Sequence, residues 1–179
     1  MKHIIPLIVL VISFALSAAT SEENRADKKY ELTFQAGMDY RMYPAQIAAM
    51  YFLDDNNLVG FKLGNAQDED EEETQTNIAL QYKHYASNSF YVAGEVFYLN
   101  TREDVHWIID DILQIKNDNA EYTSLGAGIR IGNQWTWKHF TLGCDWIGVG
   151  HRFGTFKKDT DDLSNMTFTV LNIIIGASF

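Results

Sequence analysis

The segment His84-Tyr85-Ala86-Ser87-Asn88-Ser89 places a histidine base within three residues of a serine hydroxyl, the minimum needed for acyl transfer through an activated nucleophile. Two other stretches carry metal-ligating side chains. The run from Asp68 to Glu73 stacks six carboxylates that could hold divalent cations, and His106 and Asp110 stand at helical i, i+4 spacing. Each has a simpler reading. Turn chemistry accounts for Ser87, Asn88 and Ser89. The acidic run lacks the glycine turn and spaced ligands of a calcium loop, so a solvated loop is expected. Two ligands do not make a zinc site, and His106 and Asp110 sit beside Trp107, Ile108, Ile109, Ile112 and Leu113, an apolar patch suited to packing a connection onto the body of the protein. The expectation is therefore no catalytic residue, no metal and no cofactor.

What positions these residues begins with the ends of the chain. Lys2 and His3 precede an apolar run from Ile4 to Leu16, followed by Ser17-Ala18-Ala19, the pattern of a cleaved secretory signal over residues 1–19. That run is shorter than the ~20 residues a membrane-spanning helix needs. Residues 20–29 then read as a charged, mobile periplasmic leader. The formal net charge of −10 disfavours nucleic acid as a partner. The one cysteine, Cys144, can form no internal disulfide, and it does not follow the signal directly as a lipid-anchored cysteine would.

From Tyr30 onward the period is two. Leu32, Phe34, Ala36, Met38 and Tyr40 alternate with Thr33, Gln35, Gly37, Asp39 and Arg41, and similar runs recur through residues 47–53, 59–63, 77–84, 90–100, 122–135, 140–153 and 166–179. That makes eight strands over residues 30–179. The connections at 54–57, 86–89 and 136–139 are short; those after the third, fifth and seventh strands are long and polar, and the one after the first is of medium length. Short turns on one side, long loops on the other and an even strand number are the pattern of an outer-membrane barrel. The fold class expected is an all-β, eight-stranded, antiparallel, up-and-down transmembrane barrel with both termini in the periplasm.

Parity separates such a barrel from a soluble one. If the apolar parity faces lipid, the other carries Asp39, Arg41, Lys62, Lys83, Glu95, Arg130 and Asp145, a mixed-sign set that can neutralise itself in a narrow lumen. Strict alternation in the second, third and eighth strands also puts Met50, Phe52, Phe168, Val170 and Ile174 inside. Trp135, Trp137 and Phe140 cluster at a short turn, and Tyr30, Tyr51, Phe90 and Phe179 lie at strand ends, as interfacial aromatic girdles require.

On these residues the chain resembles the small eight-stranded outer-membrane proteins of the OmpA and OmpX type over its whole mature length. The closing segment Leu171-Asn172-Ile173-Ile174-Ile175-Gly176-Ala177-Ser178-Phe179 resembles that family's terminal assembly signal. Phe179 matches its terminal aromatic, Asn172 its polar position, and Ile173 and Ile175 its alternating apolar positions; Ala177 and Ile174 depart from the pattern. The resemblance implies residence in the bacterial outer membrane, lipid and lipopolysaccharide as surroundings, the barrel-assembly machinery as a partner during biogenesis, and a monomer. The segment His84 to Ser89 resembles the His, Ser and Asn elements of outer-membrane lipid A deacylases, with two residues rather than one between histidine and serine. A structural or surface-interaction protein with a closed polar lumen is expected. The alternatives are a lipid A-modifying hydrolase on the same scaffold and a secreted soluble barrel around an apolar ligand.

Overall fold

The computed structural model describes residues 21–39, 44–67, 73–103, 120–155 and 166–179. Of the sequence-based expectations, the signal segment 1–19, Arg41, the acidic residues 68–72, His106 and Asp110 lie outside the described residues. The side chain of Asp39 does so too, its backbone lying in β1.

A short helix, α1 (Ser21–Ala26), precedes eight strands: β1 (Tyr30–Asp39), β2 (Ala45–Phe52), β3 (Asn57–Gln67), β4 (Glu73–Tyr85), β5 (Phe90–Glu103), β6 (Ala120–Trp137), β7 (Phe140–Thr155) and β8 (Met166–Ser178). Each strand pairs antiparallel with the next, and β1 pairs with β8, so the sheet closes into a barrel with no free edge. The seam is tight at its base: Phe179 N–H donates to the Tyr30 carbonyl, and the Tyr30 and Lys29 N–H groups donate to that of Phe179. Strands of 8 to 18 residues rise ~3.3 Å per residue and, tilted, span the ~25 Å apolar band of an outer-membrane barrel. No helix among the described residues is long and apolar enough to cross a membrane.

Because side chains alternate across a strand, closure sorts them into two populations. Outside stand Leu32, Phe34, Ile47, Phe61, Leu80, Val96, Ile129, Ile173 and Ile175, each about half exposed; inside, Lys62, Lys83, Glu31, Glu95, Arg130 and Asp145 are all buried. This inverts a soluble ligand-binding barrel, whose apolar side chains would face inward, and so removes that alternative. At the base of the wall Tyr30 packs between Tyr51 and Phe179, with ring centroids 5.6 and 6.2 Å away, and Trp137 stacks on Phe140 at 6.0 Å.

Register shifts occur at Phe153, where Leu125 pairs with Gly154 and Gly126 with Arg152, and at two adjacent places nearer the base. Leu171 has φ 59° and is skipped in the β1–β8 ladder, where Gly37 pairs with Asn172 and Met38 with Val170. Trp146 is skipped in the β6–β7 ladder, where Ile131 pairs with Ile147 and Gly132 with Asp145. These are β-bulges, each adding one residue and resetting which face follows. Met50, Phe52 and Ile174 do lie inside, but Phe168 and Val170, expected in the lumen, face outward at 43 and 57% exposure because the Leu171 bulge flips the upper half of β8. Gly37 is required where the bulge presses on β1: a Cβ there would lie 1.9 Å from Asn172 Oδ1.

Candidate functional site: a filled lumen and its basal clasp

The inward face is a stack of charge-paired layers. Glu95 on β5 is its hub: Oε2 accepts from Lys62 Nζ on β3 at 2.8 Å, and Oε1 from Arg130 Nε on β6 at 2.9 Å. Gln81 on β4 donates to Glu95 Oε2 at 3.4 Å. Arg130 also reaches β7 and β8, with Nη1 3.8 Å from Asp145 Oδ2 and donating to Thr169 Oγ1 at 3.0 Å. Asp145 accepts in turn from Tyr91 Oη and from Asn172 Nδ2. One connected set thus links β3 through β8.

A second layer lies toward the short turns. Lys83 Nζ is 3.3 Å from Glu31 Oε1 and donates to Gln134 Oε1 at 2.7 Å, while Gln134 Nε2 donates to Glu31 Oε2 at 2.5 Å. The Lys83 ammonium sits 4.9 Å from the centroid of Tyr91, within cation–π range. Between the two layers three cations face three carboxylates. The structure therefore joins Lys62, Glu95, Arg130 and Asp145 in one network and Lys83 in another.

Glu31, Gln134 and Tyr91 complete these layers and were absent from the sequence reading. Glu31 shares the inward parity of Thr33 and Gln35, which was its signal. Asn172 points into the lumen, whereas Ile173, Ile175 and Phe179 face outward.

The charged leader, expected to be mobile, is instead a docked helix. In α1, Ser21 and Arg25 are buried. Arg25 Nη1 donates to Ser21 Oγ at 3.0 Å and to the Asn88 carbonyl at 2.6 Å, and Nε donates to the Asp55 carbonyl at 3.1 Å. Its guanidinium lies 3.8 Å from the centroid of Tyr85. Burial draws its pKa below the ordinary arginine value, opposed by Tyr85, Glu22 and Glu31. Ser21 Oγ also accepts from Thr136 N–H at 2.9 Å, Asn88 Oδ1 from Glu22 N–H at 2.9 Å, and Asn24 Oδ1 from Lys138 N–H at 3.4 Å. One turn of helix thereby touches all three short connections, at 53–56, 86–89 and 138–139, and stoppers the lumen. The sequence reads residues 20–29 only as a charged leader, and nothing in its periodicity announces that Arg25 finds the cavity.

The histidine and serines of the 84–89 segment separate. His84 points outward with Nδ1 2.8 Å from Asn57 Oδ1 on β3, whereas Ser89 Oγ accepts from Asn133 Nδ2 on β6 at 3.0 Å. Asn88 holds α1. Among the described residues no group of three or more metal-ligating side chains occurs.

No family model matches the chain, and no curated protein matches its sequence. Solved structures do match its shape. The N-terminal β-barrel domain of Pseudomonas aeruginosa OprF superposes with a TM-score of 0.54 at 12% identity, over 85% of this chain and 98% of that one. Neisserial surface protein A superposes with a TM-score of 0.55 at 10% identity, over 84% and 95%. The fold is that of the small eight-stranded outer-membrane barrels. At such identities what is shared is the backbone path, so the lumen network and the α1 stopper are described on this chain's own residues.

Proposed function

We propose that the protein is a monomeric, structural or surface-interacting barrel of the bacterial outer membrane, with its short turns and both termini in the periplasm and its long loops outside. The observation that carries this reading is the inversion of polarity: an apolar belt outside, and a lumen filled by paired charges and stoppered by Arg25. In this reading the lumen is largely closed, and the work falls to the wall and to the external loops. Acidic loop residues 68–73 would face lipopolysaccharide and the surroundings of the cell.

Assembly would depend on the closing strand. Phe179 N–H and C=O both bond the first strand, its ring joins the basal aromatic girdle, and Ile173 and Ile175 face outward. In this reading Asn172, Ile173, Ile175 and Phe179 are the segment that the barrel-assembly machinery recognises. The test is heat-modifiability of isolated outer membranes, comparing boiled and unboiled samples of the intact chain and of a chain lacking Phe179. A faster unboiled band that weakens without Phe179 supports the reading; recovery as a soluble protein with no shift overturns it.

A further inference from the structure

The outer wall is not smooth. On β1 to β4 the ladders set Leu32, Ala49, Phe61 and Leu80 side by side in one outward row, so a single methyl group stands among three large side chains. The next outward row toward the short turns is Tyr30, Tyr51, Val59 and Tyr82. The two rows leave a groove of about 280 Å³, lined among others by Tyr30, Ala49, Tyr51, Val59, Phe61 and Leu80. Continuous with the apolar belt, the groove suits a hydrocarbon chain, and the polar groups at its foot select the head that such a chain carries.

Asn57 lies at that foot, paired with His84. Its Nδ2 donates to both carboxylate oxygens of Asp54 at 2.7 Å, which turns Oδ1 the other way, to accept from Tyr82 Oη at 2.5 Å and from His84 Nδ1 at 2.8 Å. With its proton on Nδ1, the neutral His84 ring keeps Nε2 as an acceptor, and the side chain is exposed. Asp54 and Asp55 are exposed in the turn beside it. On the other flank the chain enters β1 through Lys28 and Lys29, and the Lys29 carbonyl accepts from Phe52 N–H of β2. Two cations thus stand one to two strand spacings, ~5–10 Å, from a cluster of acceptors.

That arrangement fits a head with two poles. A phosphate meets Lys28 and Lys29, and a primary ammonium, with three donors and no acceptor, meets Asp54, Asp55 and His84 Nε2. A choline head has no donor to offer these acceptors. A purely anionic head is disfavoured, because Asp27, Asp54 and Asp55 outnumber the two lysines. We propose that the groove and its foot form a seat for one phospholipid with an ethanolamine head, an acyl chain lying over Ala49 and the head spanning from the lysines to Asp54 and His84. The site rests on the membrane reading given above.

The probe is phosphatidylethanolamine, offered to the detergent-folded full-length protein in an equimolar mixture with phosphatidylcholine and phosphatidylglycerol of the same acyl chains and read by native mass spectrometry. One retained phosphatidylethanolamine is expected, preferred about threefold over each competitor, the margin that exposed ionic contacts supply. Ala49→Trp fills the notch and should lower retention about tenfold, whereas Ile129→Trp, on the outward face of β6 across the barrel, should not. Asp54→Asn together with Asp55→Asn should remove the preference for ethanolamine over choline while the acyl chain is still held. Each variant is first checked for the heat-modifiable folded band, and if Ala49→Trp fails that check, the paired aspartate change carries the test. Equal retention of the three lipids, a preference unmoved by the paired change, or a dimer in place of bound lipid overturns the site. A parent chain with no folded band overturns the membrane reading beneath it.

Discussion

Replacing Glu95 by glutamine should be among the most damaging single changes available in this protein. The substitution keeps the shape and removes one negative charge that faces two cations, Lys62 at 2.8 Å and Arg130 at 2.9 Å, whose side chains are only 1% and 8% exposed. A buried ion deprived of its partner costs about 3–5 kcal/mol, and Asp145, 3.8 Å from Arg130 and already bonded by Tyr91 and Asn172, cannot reach Lys62 to compensate. Glu95→Gln should therefore lose about 3–5 kcal/mol of unfolding free energy in reversible urea titrations of the detergent- or lipid-folded barrel. Pairing it with Lys62→Met should recover part of that loss, giving a coupling of at least ~1 kcal/mol. A loss below about 1 kcal/mol, or strict additivity of the two changes, would refute the claim that the network is buried and mutually neutralising, because water would then be screening the charges.

Two further outcomes are expected. Arg25→Ala should release α1 from the base of the barrel, exposing the leader to protease while the heat-modifiable band persists, and should cost about 2 kcal/mol for the lost desolvated cation–π contact; protection from protease as in the parent would count against the clasp. Asp54, in the turn between β2 and β3, is held below the ordinary carboxylate range by the Asn56 N–H and the Asn57 side chain. Its contribution to that turn is full above the ordinary carboxylate pKa and fades as pH falls through the lowered folded value, so an NMR titration should find Asp54 ionising below the ordinary aspartate value, and Asn57→Ala should move it back up.

Much of the barrel was readable from alternation alone because a two-faced strand writes its environment into its sequence. The outward set Leu32, Phe34, Ile173 and Ile175 and the inward charges Lys62, Lys83, Glu95, Arg130 and Asp145 follow from counting by two. What counting cannot see is an interruption. Leu171 and Trp146 are apolar residues in apolar surroundings, and nothing in their type betrays a bulge, so Phe168 and Val170 were assigned to the wrong side. Partnership was also illegible: parity says that Lys83 is inside, not that it meets Glu31 rather than Glu95, since that depends on shear between strands. Arg25 lay outside any periodic segment, and its burial is decided by the two turns it bridges, at Asp55 and Asn88, and by the Tyr85 ring.

The two bulges stand opposite one another. In the β7–β8 ladder Asp145 pairs with Asn172 and Ile147 with Val170, so Trp146 faces Leu171 and the count on the two strands stays equal. Together β7 and β8 carry one residue more, at this level, than their outer neighbours β6 and β1. Losing Trp146 and Leu171 together would make the pairing regular at this level from β6 round to β1, whereas losing only one would leave the other as a bulge against both of its neighbouring strands. The two positions thus form one unit of sequence change, gained or lost as a pair. Homologues of this chain should lose one residue from both strands here more often than from one strand alone.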